Sequence, residues 1–178
     1  SGILLCGKRP VRQTVHERLV RLLRLYLVVG GMPEAVQGYL ESGGDLGRVR
    51  QTLEELIGLY GEDIAKHAGR RALQVKAIYD ALPAQLDKEN KRFQMQAIKD
   101  KGRYERYAND FAWLAGANAA LKTVNVTDPR PMLERSEDQR RFKLYSSDVG
   151  MLMSQYRSNV ALDAIAGSRS VNFGVVEP

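Results

Sequence analysis

The chain is nearly free of cysteine. Cys6 stands alone among 178 residues, which excludes an internal disulfide and a thiolate metal cluster. Histidine is almost as scarce, and with only His16 and His67 to add a structural zinc site lacks donors. Long apolar runs are missing too. The longest uncharged stretch, Phe111 to Leu121, falls well short of the roughly 18 residues needed to cross a bilayer, and no basic-then-apolar leader precedes it. The expected setting is therefore a reducing cytoplasm, with no membrane partner. Neither sign of charge dominates: 27 Lys+Arg against 21 Asp+Glu leave +6, which permits an acidic partner without demanding one. What is present, 44% apolar residues over this length, suffices for one domain or two small ones with real cores.

Periodicity predicts a mainly α protein with a small β-hairpin. Val15, Leu19, Leu22, Leu23 and Tyr26 recur at helical spacing, and Thr14 with Glu17 has the form of a capping box. Gly30 and Gly31 end that helix, and Pro33 with Glu34 suits the first turn of the next. After the break at Ser42–Gly44 a longer helix carries Val49, Leu53, Leu56, Ile57, Tyr60 and Ile64, with Gly58 and Gly61 suggesting close packing or a kink. A further helix runs from about Arg71 to Leu82 and is halted by Pro83. Phe93 and Met95 alternate like a short strand, Gln96 to Asp100 has room for a brief helix, and Tyr104, Tyr107, Phe111 and Leu114 define the strongest helix of the chain. Leu121–Val126 and Arg141–Tyr145 read as strands around a long loop, and Asp148–Met153 as a short helix. This order is that of a winged helix-turn-helix domain. The expected division is a helical lid or connector over 1–68, a winged-helix-like domain over 69–154, and a tail over 155–178 that is poorly ordered or part of a missing C-terminal domain.

The charges bear on whether such a fold meets DNA. Lys88, Lys91, Arg92, Lys99, Lys101, Arg103 and Arg106 cluster before and within the candidate recognition helix, and Arg140, Arg141 and Lys143 lie on the wing. Of these, Lys99, Lys101, Arg103, Arg106, Arg141 and Lys143 are the candidate contacts to duplex DNA. Glu105 and Asp110, read as lying on or near the exposed side of that helix, oppose this by repelling phosphates. A protein-docking or self-association role for the same fold stays open beside it. Tyr104, Tyr107, Phe111 and Trp113 are better read as core than as base-stacking platforms. Asp63 and Lys66 have the spacing of a surface ion pair. Gly2, Gly7 and Lys8 match part of a phosphate-binding loop, but Arg9 stands where a magnesium-binding Ser/Thr belongs and no strand precedes. No nucleophile-base arrangement or carboxylate pair emerges, so no catalytic residue is nominated and the chain itself is read as no enzyme.

Several of these segments together resemble a known family. Tyr26-Leu27-Val28-Val29-Gly30-Gly31-Met32-Pro33-Glu34-Ala35-Val36, then Leu59-Tyr60, Asp63-Ile64 and Lys66-His67-Ala68, look like the region C-terminal to the nucleotide-binding core in a large prokaryotic family of AAA-type ATPases. Leu82-Pro83, Gln85-Leu86, Lys91-Arg92-Phe93, Trp113-Leu114, Phe142-Lys143-Leu144-Tyr145 and Asp148-Val149-Gly150 follow in that family's order, so the resemblance covers about Lys8 to Met153. It implies a regulatory or coupling segment of a longer chain, with a P-loop ATPase core before it and a nuclease-like domain after it. ATP and Mg would belong to the parent and neither to this segment. It also implies a helical lid, in which Arg18, Arg21 or Arg24 would reach a nucleotide phosphate; a solvated basic face is the plainer reading of the same arginines.

Overall fold

The computed structural model describes residues 12–98, 103–128 and 132–167. Among them the chain is mainly helical with one two-stranded antiparallel sheet. Helices α1 (Gln13–Val29), α2 (Pro33–Glu41) and α3 (Leu46–His67) come first, followed by a 3-10 turn, α4 (Ala72–Asp80) and α5 (Leu82–Leu86). A 3-10 turn at Met95–Ala97, α6 (Tyr104–Gly116), β1 (Ala120–Val126), a 3-10 turn at Leu133–Ser136, β2 (Glu137–Ser146), α7 (Val149–Ser154) and α8 (Ser158–Ala166) complete the order.

Local chemistry accounts for most of the boundaries. α1 stops where Gly30 takes φ 77° and returns its N–H to the Tyr26 carbonyl, a conformation open to glycine at little cost. Pro33 opens α2, where a missing N–H is harmless. Asp45 caps α3 by accepting from Gly47 and Arg48. The Thr14–Glu17 capping box does not form: Arg12 is the N-cap without a side-chain bond, and Glu17 accepts from Gln13 Nε2 at 2.9 Å. Pro83 does not halt a helix either. α4 has already ended at Asp80, and Pro83 sits in the first turn of α5. Gly58 and Gly61 lie in an uninterrupted α3 and face open space, so close packing does not explain them.

α3 is the spine. At 22 residues it extends about 33 Å, and its two halves belong to different cores. Val49 and Leu53 pack with Val29, Ala35 and Met151, while Ile64 packs with α4, α5, α6 and the hairpin. The second core centres on aromatic rings: Phe111 meets Phe142 edge-on at 4.8 Å and Phe93 at 5.3 Å, favourable geometry for ring quadrupoles. Tyr107 and Phe111 are fully buried, as their spacing predicts. α7 packs on α1 and α3, and α8 on α1 and α7. Within the expected tail, α8 is thus an ordered helix with Ala164 buried.

The expected strands pair. Leu121 faces Tyr145 and Val124 faces Phe142, with the register shifting between Val124 and Asn125. Arg92 forms an isolated bridge to Lys143, and the Phe93 N–H donates to the Phe142 carbonyl at 2.9 Å. Where a helix-turn-helix needs a first helix, the described residues hold a single 3-10 turn, Met95–Ala97.

Candidate functional site

The apolar stripe of α1 points outward. Val15, Leu19, Leu22, Leu23 and Tyr26 are between 45% and 53% exposed, whereas Val20, Arg24 and Leu27 on the opposite side are partly covered by α8. Of α1 only the C-terminal part meets a core: Val28 and Val29 are buried, and Leu25 packs beside Val29. Arg18 and Arg21 are exposed. The Arg24 guanidinium lies over Gly167 so closely that a Cβ there would come within 2.5 Å of it, beside the carbonyl end of α8, where a cation is favoured.

At the other end of α1, two segments singled out in the sequence meet across 117 positions. Asp148 Oδ2 accepts from the Gly31 N–H at 2.7 Å, and its Oδ1 accepts from the Met151 N–H at 2.9 Å. One buried carboxylate thus caps α7 and ties the α1–α2 corner to the end of β2. Glycine is required on both sides of this latch. A Cβ at Gly30 would lie 2.3 Å from Asp148 Oδ1, and one at Gly150 would lie 2.5 Å from the Val29 carbonyl oxygen.

The candidate DNA contacts divide into groups. Lys99 and Lys101 lie outside the described residues. Arg103 and Arg106 stand at the start of α6, around a cleft shared with Arg140. Arg141 and Lys143 line a separate trough, together with Arg92. Strand alternation explains the split: Phe142 and Leu144 turn into the core, so Lys143 and Tyr145 face the other way. Hence the four described residues do not make one surface. Arg92, which the sequence left among the general cations, joins the trough through its bridge to Lys143; the alternation around Phe93 was its signal. Lys91 drops out of the cation set, because its buried Nζ donates to the Leu86 and Lys88 carbonyls at 2.7 and 2.6 Å.

Both acids weighed against phosphate binding are tied up. Asp110 is buried rather than exposed. It accepts from Arg71 Nε and Nη2, each at 2.5 Å, and this hydrogen bonding with Asp110 raises the Arg71 pKa further. Glu105 pairs with Arg140 at 2.6 Å. Its pKa is lowered, first by a hydrogen bond to its own backbone N–H and then by the charge of Arg140. Lys66 reaches Glu62 at 3.5 Å rather than Asp63. Among the described residues there is no acid, histidine and cysteine cluster that could hold a metal, and no helix long and apolar enough to cross a membrane.

A family model described as a domain of unknown function, DUF8612, matches residues 20–160, a span from within α1 to the start of α8. No curated protein matches the chain, and no solved structure matches it.

Proposed function

The chain belongs to the DUF8612 family, a domain of unknown function, and on that premise we propose that it is a non-catalytic coupling module that docks a protein partner on α1. The observation that carries this reading is the run of five half-exposed apolar side chains from Val15 to Tyr26. Such a stripe extends about 16 Å along the helix, and a contiguous apolar patch of that kind marks an interaction surface. The AAA-type resemblance makes a nucleotide-binding core the partner proposed for it. The Asp148–Gly31 latch supports coupling, because a displacement of α1 would reach β2 through one short contact rather than through the intervening chain. A second copy fits the stripe less well, since Arg12 and Arg18 beside it would meet their own kind.

The test is a photo-crosslinking amino acid at Leu22 in cells, paired with the double variant Leu19→Glu/Leu22→Glu. Crosslinks to a P-loop protein or domain are expected. The double variant should lose the interaction yet melt within a few degrees of the wild type, as surface changes usually do. Binding of the purified chain to anionic vesicles through Leu22, with no protein crosslink, would overturn the reading.

A second reading, contact with nucleic acid, is favoured by the pairing of both opposing acids, Asp110 with Arg71 and Glu105 with Arg140.

A further inference from the structure

The trough on the outer face of the hairpin is lined by Arg92, Arg141 and Lys143 and by no acidic residue. All three cations are exposed. Arg141 and Lys143 are two residues apart on β2, roughly 7 Å, and Arg92 lies one strand over from Lys143, about 5 Å away. Tyr145 is beside them on the same face, opposite exposed Leu121, while Thr123 and Asn125 add hydrogen-bonding groups. Asp138, at 3.4 Å from Arg141, is the acid at the margin.

We infer that this face binds single-stranded nucleic acid, with Arg92, Arg141 and Lys143 on phosphates and Tyr145 beneath a base. Cations in a groove beside an aromatic ring and polar side chains are the means by which unpaired strands are held. A duplex hides its base faces from Tyr145. An acidic peptide has no use for the ring. This inference stands apart from the docking role of α1.

The test is fluorescence anisotropy of the whole chain with labelled dT15, a 15-base-pair duplex and poly-glutamate. With three phosphate contacts the slope of log affinity against log salt should be about −2 on the single strand. Arg92→Ala/Lys143→Ala should weaken binding and flatten the slope to about −0.7. Tyr145→Ala should cost at least about fivefold in affinity at an unchanged slope. Arg103→Ala/Arg106→Ala should bind dT15 like the wild type, and so should Leu19→Glu/Leu22→Glu, which separates this result from that of the docking experiment. Far-UV circular dichroism checks that each variant is folded. The inference is overturned if the duplex binds more tightly than dT15, if poly-glutamate competes equally per charge, or if the Arg92/Lys143 double variant keeps the full slope.

Discussion

Removing the Asp148 carboxylate should destabilise the protein more than its modest size suggests. In Asp148→Ala, α7 loses its N-cap, a loss of about 1 kcal/mol. The Gly31 N–H, now 2.7 Å from Oδ2, loses its acceptor in a site where Asp148 is only 8% exposed; an unsatisfied donor there costs about 1–3 kcal/mol. Together the loss is about 2–4 kcal/mol, a large share of the roughly 5–15 kcal/mol that holds a typical domain. Asp148→Asn keeps one oxygen and should retain the cap, but its amide would turn a donor toward a donor, so it should fall between the two. Urea unfolding followed by circular dichroism measures this. With m near 1–3 kcal/mol/M for a small protein, the alanine variant's midpoint should drop by about 0.7 M or more. Two results would refute the reasoning: an alanine variant within 0.5 kcal/mol of wild type, or an asparagine variant as damaged as alanine, which would mean that charge rather than hydrogen bonding holds the corner.

Arg71→Ala should cost about 3–5 kcal/mol, because it strands a buried charge on Asp110. Asp110→Asn should cost less, since the 40%-exposed Arg71 side chain can turn to water; the reverse order in urea unfolding would contradict the pairing. Gly58→Ala and Gly61→Ala should each raise stability by about 0.5–1 kcal/mol in thermal melts, because a methyl group meets nothing at either site. The buried Tyr79 phenol has its pKa pushed up from 10.0 to about 12, chiefly by burial. A phenol that holds its proton more tightly in the folded state contributes fully below pH 10 and loses that contribution as pH climbs toward 12. Its part in stability should thus be flat from pH 7 to 10 and fall by about 2–3 kcal/mol above that. Tyr79→Phe should lack this component, and equal alkaline losses in both proteins would count against it.

Much of the local structure could be read from the chain. The α6 stripe predicted the burial of Tyr107 and Phe111, β-branched residues marked β1, and Gly30 with Pro33 marked the corner between α1 and α2. Readings that needed a partner distant in sequence fared differently. Asp110 looked like a surface acid, since its helix position says nothing about Arg71, 39 residues earlier. The two motifs of the latch stood out separately, but nothing in either announces the other. Arg141 and Arg106 looked like parts of one basic surface until strand alternation put the hairpin between them.

Periodicity and turn residues are local, so the sequence by itself determined most of the helix and strand segments, α8 excepted, and which side of each is apolar. Only the tertiary structure decided which apolar sides become core. The stripes of α1 and α6 are alike in pattern, yet one is roughly half exposed and the other closed. The physical reason is that burial is a property of the surface brought against a helix, and that surface comes from elsewhere in the chain or, as we propose for α1, from another protein.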